Sequence, residues 1–197
     1  MQEFLSHIKR EDLHSLSSIV FPGRIVVVNN TTEAEYAVKY LSKCDLLGFD
    51  TETKPAFHKG QKHKIALLQL SSDTAAYLFR LHAIGIPDSL AELMESETVK
   101  KIGVAVHDDI KGLQHLRKIK PGGFIDLQHI VSNYGIQEKS VQKLAAIVLN
   151  ARVSKSQRLT NWENGQLTNT QQLYAATDAW VCREIYVKLI NSNKSDE

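Results

Sequence analysis

The chain has 197 residues, enough for one domain of ordinary size. Hydrophobic residues make up 43% and charged residues 23%, which supports a sizeable core and excludes a disordered composition. The formal net charge of +2 does not by itself announce a nucleic-acid binder, so any basic surface must be local. Cys44 and Cys182 lie far apart with no CxxC partner, which argues against zinc and against a disulfide framework. Two lone thiols fit a reducing, cytoplasmic setting. The start of the chain does not read as a signal peptide, and no stretch approaches membrane-spanning length.

Residues 1–24 read as a partly helical lead-in that ends at the turn pair Pro22-Gly23. The β-branched run Ile25–Val28 predicts a strand. Thr31 or Thr32 is placed to cap a helix to about Lys43. Leu46–Glu52 predicts a buried strand stopped by Pro55. A polar, basic loop over 54–64 follows. Ile65–Leu70 and Ala75–Phe79 predict two strands joined by the turn Ser71-Ser72-Asp73-Thr74. Pro87 opens a helix to Glu95. A strand is expected over Val99–Val106, then a helix from Asp108 to Ile119. Phe124–Asp126 suggests a short strand before a helix to Tyr134, and Val141–Leu149 a further helix. Residues 150–168 look irregular. A long helix is expected from Thr170 to Ile190, with a polar tail over 191–197. Strands first and helices later imply an α/β or α+β domain around one mixed sheet. No GxGxxG and no P-loop pattern is present.

Three segments carry acids in positions that matter. In a strand, residues two apart share a face, so Asp50 and Glu52 of Asp50-Thr51-Glu52 present two carboxylates side by side. Like charges so close raise each other's pKa unless a cation lies between them, and oxygen-only ligands suit Mg²⁺ or Mn²⁺. Taken alone, the pair is a weak signal, and a polar strand end exposed to water is the preferred reading. In Val106-His107-Asp108-Asp109-Ile110, Asp109 shares a helical stripe with Leu113 and Leu116, whereas Asp108 points away and serves as an N-cap. For Asp109, an inward ligand and a favourable helix-dipole charge are both open readings. In Tyr174-Ala175-Ala176-Thr177-Asp178, the tyrosine and the aspartate stand one turn apart, and Val181 and Ile185 continue the stripe. A carboxylate inside an apolar face demands compensation, by a metal ion or a buried cation. Four acids from three segments, with two divalent ions, would form a two-metal site for attack on a phosphodiester, with Tyr174 bonding the attacking water. A phenol with an ordinary pKa near 10 is a poor general base.

Phe49–Glu52, the run Gly103–Asp109 with Leu113, and Leu173–Ala179 resemble the three motifs of the DEDD exonuclease superfamily. The tyrosine four residues before the last aspartate resembles the DEDDy branch, the group of ribonuclease D and the Werner syndrome helicase exonuclease domain. Lys64–Leu70, Lys101–Val104 and Asn161-Trp162 are similar to the Werner-type domain. The resemblance covers residues 25–190. It implies an RNase H-like fold with a five-stranded mixed sheet, one strand antiparallel, flanked by helices. It implies 3′-5′ exonuclease activity on nucleic-acid ends, with Asp50, Glu52, Asp109 and Asp178 binding two Mg²⁺ or Mn²⁺ ions and Tyr174 positioning water. It tilts the substrate towards DNA over RNA, and the alternative is a catalytically silent nucleic-acid-binding module. With no helicase sequence following, the chain reads as free-standing.

Substrate-contacting candidates are Thr53, which either contacts substrate or finishes its strand, Lys54, Lys59 and Lys62 in the basic loop after the first motif, and Arg152 and Arg158 before the last helix. Lys155 belongs to that second group. Trp162 reads as a loop anchor in the core in preference to a base-stacking platform, and His107 as packing or capping.

Overall fold

The computed structural model describes residues 3–192 apart from 57, 59 and 62. Its centre is a six-stranded sheet in the order β1-β4-β3-β2-β5-β6. The strands are β1 (Arg24–Val28), β2 (Leu46–Thr53), β3 (Ile65–Ser71), β4 (Ala75–Phe79), β5 (Lys100–Gly103) and β6 (Phe124–Asp126). β3 runs antiparallel to both its neighbours, and every other pairing is parallel. Six strands replace the five expected, because Phe124–Asp126 pairs in parallel with β5 as a short edge. The helices are α1 (Thr31–Leu41), α2 (Leu81–Ile84), α3 (Asp88–Glu95), α4 (Val106–Leu116), α5 (Leu127–Ile130), α6 (Val141–Leu149) and α7 (Asn169–Ser192). The architecture is thus a mixed α/β, RNase H-like sheet with flanking helices.

Most elements fall where periodicity and turn chemistry predict them, and three boundaries are corrected. The cap of α1 is Asn30, not Thr31 or Thr32; its side chain accepts from the Glu33 N–H at 2.9 Å. The strand predicted over Val99–Val106 stops at Gly103, and α4 starts at Val106. Asp108 therefore lies inside the first turn of α4 and does not cap it. Its exposed side chain instead reaches Lys111 at 4.0 Å.

The early start of α4 has a specific cause. Ala105 adopts a left-handed conformation (φ 57°, ψ 38°) that turns the chain sharply from strand into helix. The Asp126 carboxylate, arriving from β6, accepts the Ala105 N–H at 3.0 Å and the Val106 N–H at 3.2 Å. It also accepts the Gln128 N–H at 2.9 Å, so one side chain caps α4 and α5 together.

Two apolar layers sandwich the sheet. Phe49, Leu68, Leu70 and Phe79 pack with α1, α3 and α4 on one side, while Val181, Ile185 and Leu189 of α7 pack with Leu144 and Val148 of α6 on the other. The lead-in lies against this second layer. The Phe21 ring meets Trp180 edge-on with centroids 5.8 Å apart, and the Phe21 N–H donates to the Thr177 hydroxyl at 3.0 Å.

α7 runs directly over β2. A Cβ at Gly48 would stand 1.9 Å from the Ala179 carbonyl oxygen, so the two backbones touch at a point where only hydrogen fits. Gly48→Ala is expected to lower the melting temperature by several degrees, since overpacking costs about 1–3 kcal/mol and each kcal/mol shifts a domain of this size by roughly 2–4 °C. Gly165→Ala, which opens into free space, is expected to leave it within about 0.5 kcal/mol. Equal melting curves for the two variants would contradict the close approach.

Candidate active site

The contact at Gly48 places the acids. Asp50 and Glu52 share the β2 face that looks at α7, two and four residues beyond Gly48. Asp178 precedes Ala179 on the helix lying over that face. Asp50, Glu52 and Asp178 each present a carboxylate oxygen within 4.8 Å of the others. Asp50 and Glu52 are half-buried and Asp178 is buried. One oxygen of Asp178, Oδ1, is buried with no hydrogen-bond partner.

Asp109 stands beside this triplet and outside it. Thr51, whose side chain leaves β2 on the opposite face from its two acidic neighbours, donates its hydroxyl to Asp109 Oδ1. The half-buried Asp109 belongs to the same electrostatic cluster, because its charge pushes up both Asp50 and Glu52.

Every acid of the cluster resists ionisation. Burial, then the charges of Asp178, Glu52 and Asp109, holds Asp50 well above the carboxylate range. Burial followed by Asp178 and Asp109 pushes Glu52 up to about 8, with Arg158 opposing. Burial raises Asp109 to about 6 against the Thr51 bond, and Asp178 to about 7 against Tyr174 and Lys155. Burial and the neighbouring Asp178 raise Tyr174 far above a normal phenol, so its hydroxyl stays protonated at any physiological pH. Lys155 and Arg158 are the cations whose charge reaches the acids, yet among the described residues no ion pair with an arginine or lysine holds Asp178. An orphaned buried oxygen among like charges is the donor set a hard divalent cation fits.

Tyr174 is fixed by its surroundings. Trp162, fully buried, packs against it with centroids 6.0 Å apart, which makes Trp162 the core anchor expected of it. The Trp162 loop is tied down at both ends. The Arg80 guanidinium donates to the carbonyls of Asn164 and Gly165. The Gln171 amide donates to Thr160 Oγ1 at 3.0 Å and to the Asn161 carbonyl at 3.3 Å. A pocket of about 180 Å³ opens at Tyr174 and Asp178 and is walled by Ile19 and Val20 of the lead-in, residues that carry no sequence signal for this role.

The expected substrate contacts divide. Arg158 is exposed and lies close enough to act on Glu52. Lys54 forms an ion pair with Glu163 at 3.5 Å, bridging the basic loop to the Trp162 loop. Thr53 is exposed where the β2–β3 register shifts after Glu52. Arg152 lines a separate groove that none of the triplet acids lines. Lys59 and Lys62 lie outside the described residues. His107 is exposed. Asp126 and Arg80 carry no signal for their roles in the sequence. Asp126 sits in a strand whose capping role appears only when β6 pairs with β5, and Arg80 acts across 84 residues of chain.

The sequence profile of a family described as 3′-5′ exonuclease matches residues 25–193. The chain is a member of this 3′-5′ exonuclease family. Over 187 residues, 90% of its length, it is 32% identical to the mouse bifunctional 3′-5′ exonuclease/ATP-dependent helicase WRN. Over 89% of its length it is 35% identical to the Drosophila melanogaster exonuclease 3′-5′ domain-containing protein 2. It spans only 13% and 31% of those two proteins. Among solved structures, the Aedes aegypti Nibbler EXO domain superposes with a TM-score of 0.80 at 20% identity, covering 91% of this chain and 94% of that one. Escherichia coli RNase D superposes at 0.77 with 18% identity, covering 87% and 46%. Both share the fold. Members of this family are hydrolytic nucleases, and the acid triplet lies inside the matched region.

Two outcomes follow from the raised acids and from Asp126. A carboxyl whose pKa is higher folded than unfolded retains its proton longer in the native state, so stability falls as pH rises from the unfolded value near 4 through the folded one. The metal-free protein is expected to lose melting temperature between about pH 5 and 8, and Mn²⁺ to restore it most at the upper end. A flat pH profile, unaltered by Mn²⁺, would contradict the cluster. Asp126→Ala is expected to cost about 1–3 kcal/mol in denaturant unfolding, because it strips two helix starts of their acceptor; a loss below about 0.5 kcal/mol would contradict the double cap.

Proposed function

We propose that this chain is a metal-dependent 3′-5′ exonuclease of the tyrosine (DEDDy) branch, removing nucleotides from nucleic-acid 3′ ends. The observation that carries the reading is the Asp50–Glu52–Asp178 triplet within 4.8 Å, with Tyr174 one helical turn before Asp178. In this reading Asp50, Glu52 and Asp178 hold two divalent ions, with Asp109 turning from Thr51 to complete the set. The ions, Mg²⁺ or Mn²⁺, supply positive charge for the phosphate oxygens and acidity for a water.

The chain's own groups do the rest. Tyr174, kept protonated by burial and by its acidic neighbours and held by Trp162, serves as a hydrogen-bond donor or acceptor that orients the attacking water, and not as a base. Lys155 and Arg158, whose charges reach Asp178 and Glu52, draw the scissile phosphate towards a centre that is otherwise negative. Thr53 and Lys54, and Lys59 and Lys62 of the same loop, border the first motif and contact the terminal nucleotides. DNA is favoured as substrate on the Werner-type likeness of residues 64–70 and 161–162. The free thiols of Cys44 and Cys182 suit a reducing, cytoplasmic compartment.

The test uses 5′-labelled single-stranded DNA, recessed duplex and RNA, each with Mg²⁺ or Mn²⁺. The wild-type protein is expected to shorten a strand stepwise from its 3′ end. Asp50→Asn is expected to lose more than roughly a hundredfold in rate, about 3 kcal/mol of barrier, while remaining folded. Tyr174→Phe is expected to slow cleavage by about 10–100-fold yet retain the Mn²⁺-induced rise in melting temperature. Failure to shorten any of the substrates overturns the reading.

A further inference from the structure

A groove of about 770 Å³ lies between the lead-in, the start of α6 and the 152–155 segment, and no acid lines it. Arg10, His14, Lys143, Arg152 and Lys155 do. Lys143 is spoken for by Glu138 at 2.8 Å, but among the described residues Arg10, Arg152 and Lys155 are exposed and carry no ion pair. Three unpaired cations on one concave surface stand out in a chain whose formal charge is only +2.

The groove is built into the fold and is not formed by loose side chains on a convex surface. Its two long walls are joined by main-chain bonds, with the Arg152 N–H donating to the Ser17 carbonyl and the Ile19 N–H to the Arg152 carbonyl, each at 2.9 Å. Its third wall is the start of α6, where Ser140 caps the helix and lines the groove. That terminus adds partial positive charge from its first-turn N–H groups. The volume is within the range of sites that bury a drug-sized ligand.

Its position indicates the ligand. Val153 and Ser154 line both this groove and the small pocket that holds Tyr174 and Asp178, so the two adjoin across that segment. Lys155 lines the groove while its charge acts on Asp178. We propose that the groove binds the sugar-phosphate backbone of the substrate strand on the 5′ side of the bond being cut, with Arg10, Arg152 and Lys155 contacting successive phosphates. This inference rests on the exonuclease reading for the polarity of the strand. A strand whose 3′ end sits at the acids must leave by some path, and the cation-lined groove adjoins the pocket at Tyr174 and Asp178. Phosphate contacts of this kind position a strand without reading its sequence, and they lose affinity as salt rises.

The test is equilibrium binding of a fluorescent single-stranded oligonucleotide of roughly twelve nucleotides, in EDTA so that no cleavage is required. Wild-type protein is compared with the Arg10→Gln/Arg152→Gln double variant across a salt series, with circular dichroism to check folding of these exposed substitutions. The variant is expected to bind about tenfold more weakly, and its log Kd against log salt to lose a slope of about 1–2. The same comparison with a dinucleotide, too short to enter the groove, is expected to show no such gap. Equal affinity and equal slope for the two proteins on the long strand would overturn the groove, whether or not the protein proves to be a nuclease. Binding that depends on these arginines, without cleavage on adding Mn²⁺, would uphold the groove as a nucleic-acid site and defeat the exonuclease reading instead.

Discussion

A helix backbone pressed against a strand backbone is the constraint on which the rest of the molecule depends. At Gly48 the sheet offers no side chain, and α7 settles to contact there. That closeness forces Asp178 onto Asp50 and Glu52, three carboxylates within 4.8 Å. Two charges at such a distance repel by on the order of 3 kcal/mol at an effective dielectric near 20. Nothing electrostatic within the described protein offsets this fully, since Lys155 and Arg158 act from its rim. The packing of α7 holds the acids together regardless. Val181, Ile185 and Leu189 are wholly buried, and each such side chain contributes roughly 1.5–3 kcal/mol on leaving water. The fold thus uses its apolar core to maintain a concentration of acids that only protons or cations can relieve; burial pushes all four upward, joined at Asp50 and Glu52 by the charges of their neighbours.

Around this centre, the supporting contacts fix direction as well as adding stability. Asp126 sets where α4 begins, and so places Asp109 one turn inside it, within reach of the Thr51 hydroxyl. Arg80 and Gln171 tether the loop that carries Trp162, and Trp162 in turn braces the Tyr174 ring. The lead-in closes one wall of the pocket and donates a backbone N–H to Thr177, next to Asp178. Each of these groups acts through another to hold an acid or the tyrosine, so a substitution at any of them reaches the acids or Tyr174 only indirectly.

Much of this is legible in the chain before any coordinates. Alternation puts Asp50 and Glu52 on one face, and the i, i+4 relation puts Tyr174 and Asp178 on another, so the triplet can be anticipated from two periodicities. The core strands announce themselves through β-branched runs and the turn at Ser71–Thr74. What escapes is non-local. Val104–Val106 looks like strand because its residues favour strand, but the Asp126 carboxylate from β6 captures the amides of Ala105 and Val106 and starts the helix early. Asp108 looks like a cap for the same reason, three residues beyond the true cap position at Ala105. Arg152 groups with Arg158 in sequence yet faces a different cavity, because the lead-in pairs with its backbone and draws it away. Arg80 leaves no local trace of its tethering role, since the two carbonyls it holds lie more than eighty residues distant.

The claim that cations relieve a strained cluster of acids is tested most directly by counting protons. Calorimetric titration with Mn²⁺ at pH 7, repeated in buffers of different ionisation enthalpy, measures how many protons leave the protein as the ion enters. Carboxyls raised to about 7 and 8 at Asp178 and Glu52, and the still more strongly shifted Asp50, predict a clear release near neutral pH that fades towards pH 9 and is diminished in Asp178→Asn. Binding with no proton release, or with the same release once Asp178 is replaced, would contradict the account.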